Sequence, residues 1–256
     1  MELKFYKYQG TGNDFVMVDN RTGVFDITNT SLVAKLCHRR FGIGANGFIL
    51  LENEPGFDFK MVYFNSDGNQ SSMCGNGGRC LVQFAHDIGV IADRSRFLAT
   101  DGPHDAYLEK GLVHLKMIDV NQVEKNEDYF YLNTGSPHYV TSVKDIKNYP
   151  VFEEGRKVRY NNRFKEKGTN VNFTEKKDDL LYVRTYERGV EDETYSCGTG
   201  VTAAALAASY SGMLSPVRIN TLGGELSISF KKNESGFSEI YLIGPAVRVF
   251  EGMILL

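Results

Sequence analysis

Apolar positions along this chain fall mostly in short alternating or continuous runs, and only a few segments repeat at helical spacing. Lys4-Phe5-Tyr6-Lys7-Tyr8 and Phe15-Val16-Met17-Val18 predict strands on either side of a Gly10-Thr11-Gly12-Asn13 turn. Phe48-Ile49-Leu50-Leu51 and the run from Phe59 to Phe64 predict two more, parted by Pro55-Gly56. Leu32, Val33, Leu36 and Cys37 share one helical face, with Ser31 as the candidate cap. Cys80, Leu81, Phe84, Ala85 and Ile88 share another. Val201 to Ser209 is rich in alanine and apolar all round, which predicts a buried helix. Leu226 to Phe230, Ile240 to Ile243 and the final stretch Ala246 to Leu256 read as extended. The pattern is α+β: in each half, a mostly antiparallel sheet wrapped around a central helix.

The halves are also copies of one motif series. Cys74-Gly75-Asn76-Gly77 opens a helical run that stops at Gly89, and Cys197-Gly198-Thr199-Gly200 opens one that stops at Gly212, the same distance on. Phe5-Tyr6 leads to Gly10 and Asn13 as Phe130-Tyr131 leads to Gly135 and His138. Gly44-Ala45-Asn46 matches Gly168-Thr169-Asn170, and Phe64-Asn65 matches Glu187-Arg188. Across these landmarks the offset drifts only from 125 to 123 residues. Two homologous domains are therefore expected, residues 1–119 and 120–245, with 246–256 returning to complete the first. Such a duplication places one cysteine in each lobe, facing a shared cleft.

Composition narrows the function. A net charge of −3 lacks the basic excess of a nucleic-acid binder. No stretch approaches the roughly 18 apolar residues of a membrane span, so the default location is cytoplasmic. Four cysteines in 256 residues are too few for a disulfide scaffold, and reduced thiols suit the cytosol. Their spacing also fits no zinc knuckle, so no metal is expected.

A cysteine at the start of a helix has a chemical use. A free thiol with a pKa near ~8.5 is mostly protonated at neutral pH and is then a poor base. The first helical turn offers backbone N–H groups outside the helical ladder and about half a positive charge, which favour the thiolate. The same donors can hold a carboxylate while the neighbouring carbon becomes a carbanion. Glycine directly after the cysteine leaves room for that approach. Cys37 and Cys80, on apolar stripes, read instead as small buried hydrophobes. A phosphate cradle is disfavoured, since neither copy carries Gly-Lys-Ser/Thr.

Taken together, these segments resemble the diaminopimelate epimerase family over essentially the whole chain. The resemblance is carried by Gly10-Thr11-Gly12-Asn13-Asp14-Phe15, Arg40-Phe41-Gly42-Ile43-Gly44, Phe64-Asn65-Ser66-Asp67-Gly68 and Met73-Cys74-Gly75-Asn76-Gly77 with Arg79-Cys80. It continues through Gly135-Ser136-Pro137-His138, Asn170-Val171-Asn172-Phe173, Glu187-Arg188-Gly189 and Ser196-Cys197-Gly198-Thr199-Gly200. It implies an enzyme that needs no cofactor and interconverts LL- and meso-2,6-diaminopimelate, as a homodimer. By resemblance Cys74 and Cys197 are the two bases, with Cys74 the forward proton donor and Cys197 the acceptor. Gly75-Asn76 and Gly198-Thr199 would grip the reacting carboxylate. Asn13, Asn65, Asn170 and Arg188 would recognise the far end of the substrate, and Glu187 would place an ammonium group. His138 and Glu187 are expected beside the thiols.

Other readings stay open at this stage. A racemase of proline or hydroxyproline could use the same two thiols but would not need the Arg188 and asparagine set. A thiol redox or binding protein could also share the fold, although no Cys-x-x-Cys pair is present. Without the resemblance, Arg188 fits an exposed ion pair with Glu191 or Asp192. Glu191, Asp192 and Glu193 would oppose ionisation of Cys197 if they faced it, and they are expected to point to solvent.

Overall fold

The computed structural model describes residues 2–71 and 73–256. In chain order the first half has β1 (Glu2–Gly10), β2 (Asn13–Asp19), α1 (Thr30–Cys37), β3 (Gly47–Glu52), β4 (Phe59–Asn65), α2 (Gly75–Asp87), β5 (Arg94–Ala99), β6 (Gly102–Glu109) and β7 (Leu112–Lys116). The second has β8 (Val123–Lys125), β9 (Phe130–Asn133), β10 (Pro137–Ser142), α3 (Val151–Arg159), β11 (Asn170–Lys177), β12 (Leu180–Glu187), β13 (Asp192–Thr194), α4 (Gly198–Ala208), β14 (Val217–Thr221), β15 (Gly224–Asn233) and β16 (Gly236–Gly244). A last strand, β17 (Val247–Leu255), follows. Strands and a few helices make the α+β class that the apolar pattern implies. The chain divides into two compact units, Met1–Leu115 with Pro245–Leu256, and Lys116–Gly244.

In the first unit β1 and β2 form a hairpin whose turn residues, Thr11 and Gly12, both have positive φ (48° and 81°). That geometry matches the twist of the flanking strands. β17 runs antiparallel along β1, pairing Glu2 with Leu255 and Gln9 with Val247. The central strands are covered on both faces. Val16, Val18, Phe48, Leu50, Val62 and Phe64 pack with Val33 and Leu36 of α1. The intervening residues turn toward α2: a Cβ at Gly77 would lie 3.0 Å from Ile49 Cδ1 and 3.4 Å from Phe15 Cε1. Two-sided burial explains why these strands read as continuous apolar runs rather than alternating ones. Each fully buried Phe or Leu contributes about 1.5–3 kcal/mol to this core.

The second unit repeats the layering with a different filling. Val171 and Phe173 of β11 pack with Val151 of α3, together with Tyr186 of β12. The opposite face meets α4, whose residues Val201 to Ala207 are all buried, as its apolar composition predicts. On that face the strands present buried polar side chains, His138, Asn170, Asn172 and Thr185, where the first unit presents apolar ones.

Antiparallel pairing predominates, and the exceptions follow a rule. Parallel pairs include β2–β3, β4–β5, β10–β11 and β12–β14. Each is bridged by one helix, α1, α2, α3 and α4 in turn. Parallel neighbours need such a crossover, because a tight turn cannot reverse the chain twice. Sequence periodicity did not separate these pairs from the antiparallel ones.

Two local details refine the sequence reading. The N-cap of α1 is Asn29, whose Oδ1 accepts from Leu32 N at 3.1 Å, and not Ser31, which lies inside the helix and donates to the same oxygen. The glycine stops do lie just beyond α2 and the short turn after α4, with left-handed φ of 74° at Gly89 and 83° at Gly212. Among the described residues no helix is long and apolar enough to cross a membrane.

Candidate active site

Both cysteines occupy the N-cap position of a helix. Cys74 precedes α2 with φ −110° and ψ 124°, and Cys197 precedes α4 with φ −120° and ψ 115°. The first helical bonds run from Gly78 N to Cys74 O (2.7 Å) and from Val201 N to Cys197 O (2.9 Å). The N–H groups of residues 75–77 and 198–200 thus precede the helical ladder and lie at its positive end. Neither sulfur caps its helix through the side chain.

In the first unit Cys74 is half-buried, and Asn13 Nδ2 points to its sulfur at 3.7 Å. Asn13 is itself held by Asn46 Nδ2 at 3.0 Å, and Asn46 is tied to Asp14 through its backbone N–H. Asp14 pairs with Lys7 and Arg39 at 2.7 Å each, which keeps its carboxyl below the usual range despite its burial. Asn65 closes β4, half-buried, with no side-chain hydrogen bond among the described residues. Asn76 is 1% exposed and accepts from Arg79. Gly47 pairs with Asn65 across β3 and β4, and a Cβ there would meet the Tyr63 ring at 2.5 Å, so this strand edge admits no side chain.

In the second unit Cys197 is nearly buried, with Thr199 Oγ1 3.5 Å from its sulfur. Gly200 is obligatory, because a Cβ there would lie 2.5 Å from Asn172 Oδ1 and 3.2 Å from Cys197 Cβ. Asn172 thus lies against the first turn of α4 and also holds His138. Its Nδ2 donates to Tyr139 O (3.0 Å) and His138 Nδ1 (3.1 Å), while its Oδ1 accepts from Thr185 (3.0 Å). The carbonyl of Tyr139 can only accept, so the amide orientation is set, and His138 Nδ1 is the acceptor. The ring proton then sits on Nε2, which is buried without a partner among the described residues. Burial pushes the His138 pKa down to about 3, with the Arg188 charge adding to the effect. His138 is therefore neutral at physiological pH and carries its single N–H donor at Nε2.

Asn170 spends its amide on the protein: Nδ2 donates to Ser136 Oγ (2.9 Å) and Pro137 O (3.0 Å), and Oδ1 accepts from Arg188 N (2.9 Å). Arg188 is exposed and fixed by Lys167 O at 3.0 Å and Ser136 Oγ at 3.4 Å. It makes no ion pair with Glu191 or Asp192 among the described residues. Glu187, which ends β12, accepts from Thr194 Oγ1 at 2.7 Å, and burial raises its pKa. The neighbouring acids depart from expectation. Only Asp192 is solvent-exposed. Glu191 is drawn to Arg159 (3.2 Å) and to the Tyr160 and Tyr186 hydroxyls. Glu193 forms a two-pronged pair with Arg184 at 2.6 Å. These arginines hold both carboxylates in place, an outcome that local sequence could not show because Arg159 lies far upstream.

The structure gathers Asn13, Asn65, Cys74, Gly75 and Asn76 within the first unit, and His138, Asn170, Glu187, Arg188, Cys197, Gly198 and Thr199 within the second. Asn172 and Thr185 were missed as members of the second network. The signal was present for Asn172, since Asn170 and Asn172 stand two apart on a strand and share a face.

Known proteins match this arrangement. The sequence pattern of the family described as diaminopimelate epimerase fits residues 5–124 and again 130–249. The chain is 51% identical to the diaminopimelate epimerase of Flavobacterium psychrophilum, over 98% of this chain and 100% of that one. It is 38% identical to that of Aquifex aeolicus, over 98% of each. Among solved structures, a PhzF-family phenazine biosynthesis protein of Bacillus anthracis superposes with a TM-score of 0.75 at 13% identity, with full coverage of both chains. A hydroxyproline epimerase from Agrobacterium vitis does so with 0.72 at 13%, over 100% of this chain and 93% of that one, which places all three in one fold. With the family pattern present twice and relatives aligned from end to end, the chain belongs to the diaminopimelate epimerase family.

Proposed function

We propose that this protein interconverts LL- and meso-2,6-diaminopimelate, with Cys74 and Cys197 as the paired bases. The observation that carries this reading is the cysteine at the N-cap of a glycine-initiated helix in each unit. One thiolate removes the proton on the α-carbon and becomes a thiol. The other thiol delivers its proton to the opposite face and becomes a thiolate, so charge and proton count are unchanged over the step. Two such bases on opposite faces invert the carbon, and no cofactor is required for that proton bookkeeping. The N–H groups at residues 75–76 and 198–199 hold the adjacent carboxylate and stabilise the charge that develops on it.

The remaining side chains sort by chemistry. Arg188 and Asn65 recognise the distal carboxylate and ammonium, with Asn170 holding Arg188 in place and Asn13 bridging to the Cys74 sulfur. Glu187 accepts an ammonium hydrogen, and His138 donates Nε2–H toward the second thiol. A proline or hydroxyproline substrate, with a single carboxylate, would leave Arg188 without a task. The protein works in the cytoplasm as part of amino-acid and cell-wall precursor synthesis. It works as a homodimer: β17 pairs only with β1 among the described strands, and it exposes Val249, Phe250, Met253 and Leu255, an apolar edge suited to a second copy. Light scattering of a Phe250→Asp, Met253→Lys variant should then report a monomer.

Incubation with LL-diaminopimelate in heavy water tests the central reading. Deuterium should enter one α-carbon as the meso isomer forms, without added pyridoxal phosphate. Full inversion by either Cys→Ala variant would end the two-thiol account, and turnover of proline in preference to diaminopimelate would end the substrate assignment.

A further inference from the structure

The start of α2 is backed by a buried cation, Arg79, at the position where α4 carries Thr202. Arg79 lies one turn into α2 and is 0% exposed. Its guanidinium donates to Asn76 Oδ1 at 3.0 Å, Thr11 Oγ1 at 3.3 Å and Gly75 O at 3.4 Å, all neutral acceptors. Its Nε is buried with no partner, and no carboxylate pairs with it among the described residues. Buried arginine is ordinarily matched by an anion, because desolvating an isolated charge is costly. Gly10 makes the space, since a Cβ there would come within 3.3 Å of Nη2.

The duplicated half solves the same position without charge. Thr202 stands four residues after Gly198, as Arg79 stands four after Gly75. Thr202 is buried, and its hydroxyl donates to Gly198 O at 2.9 Å, the counterpart of the carbonyl that Arg79 reaches in α2. One half thus carries an uncompensated cation behind its first turn, the other a neutral hydroxyl.

We propose that Arg79 is a positioning residue for the reaction: it fixes Asn76 and the first turn of α2, and its unmatched charge makes Cys74 the more readily ionised of the two thiols, so that Cys74 starts as the acceptor where the resemblance implies the donor. This rests on the reading of Cys74 as one of the bases. Other charges on the elements around α2 do not supply the missing anion. Asp14 of β2 is committed to Lys7 and Arg39. At the far end of the helix Asp87 accepts from Tyr8, near Arg248 of β17. The Cys80 thiol is pushed up to about 12 by burial and stays protonated. The half-buried Cys74 becomes an anion when it loses its proton, and Arg79 is attracted electrostatically to Cys80 and Cys74.

The pH dependence of iodoacetamide alkylation tests this independently of turnover. Peptide mass spectrometry identifies the labelled cysteine, and Cys197→Ala protein isolates Cys74. Arg79→Met in that background should raise the alkylation midpoint of Cys74 by about one pH unit, and Arg79→Lys should restore most of the shift. A folded Arg79→Met protein with an unchanged midpoint overturns the proposal. If Arg79→Met does not fold, comparison of Cys197→Ala with Cys74→Ala protein decides, since the midpoint of Cys74 must lie below that of Cys197, and equal or reversed midpoints overturn it. Epimerisation by Cys74→Ala protein would instead remove the underlying assignment, whatever the midpoints show.

Discussion

The starts of α2 and α4 share backbone geometry and differ in almost everything behind it. At Cys74 the supporting groups are an asparagine from the β1–β2 hairpin and a buried arginine. At Cys197 they are an asparagine on β11, a neutral histidine and a threonine, joined in a network without charge. The glycine-initiated helix start is therefore the retained part of the duplication, and its electrostatic setting is where the copies diverged. Inverting a carbon requires two bases in opposite protonation states, and unequal surroundings provide a reason for one thiol to begin ionised.

The largest test of that comparison removes one sulfur at a time. Cys74→Ala and Cys197→Ala should each lower inversion by about 10²–10⁴-fold or more, the usual worth of a positioned acid or base. Followed by chiral separation of product, a loss confined to one variant would show that the halves are not a matched pair.

The second test reads the neutral histidine through stability. The folded pKa of His138 is about 3, below the ordinary 6.5 of the unfolded chain. As pH falls below 6.5 the unfolded state takes up a proton that the folded state refuses, so stability drops by about 1.4 kcal/mol per unit. The loss should reach on the order of 3 kcal/mol by roughly pH 4. Glu187, with its pKa raised by burial, acts in the opposite sense as pH falls through its raised value. Urea denaturation of His138→Gln against the parent should show a flatter pH dependence between 6.5 and 4. Equal slopes would contradict a buried neutral ring.

The equivalent glycines offer a smaller contrast. Gly200→Ala drives a methyl into Asn172 Oδ1 and should cost about 1–3 kcal/mol and disturb Cys197. Gly77→Ala meets the flexible tip of Ile49 at 3.0 Å and should cost under about 1.5 kcal/mol. Thermal melts of the two variants make the comparison directly. The smallest effect belongs to Thr202→Val, which loses one hydrogen bond to Gly198 O and should cost about 0.5–1.5 kcal/mol.

The helix starts were legible in the sequence because everything that defines them is local: a cysteine, glycines on either side of one residue, and a left-handed glycine stop. The α+β character was legible from the apolar runs for the same reason. Long-range choices were not. Whether β3 lies parallel or antiparallel to β2 depends on how α1 packs, which Phe48 and Leu50 do not encode by themselves. Arg159 and Arg184 capture Glu191 and Glu193 through tertiary structure, so counting acids ahead of Cys197 misjudged where they point. Arg79 was visible only as part of a motif. Nothing in its neighbours announced that a charge would be sealed inside the core.

The pairing of β17 with β1 carries a consequence for how the chain matures. The partner of the first strand is synthesised only after the roughly 130 residues of the second unit. At about 5–20 residues per second the ribosome needs several seconds to nearly half a minute for the second unit alone, and that edge stays open throughout. During translation the earlier half is the later one to be finished, and its uncovered margin is the place where a nascent chain is most exposed to mispairing with its neighbours.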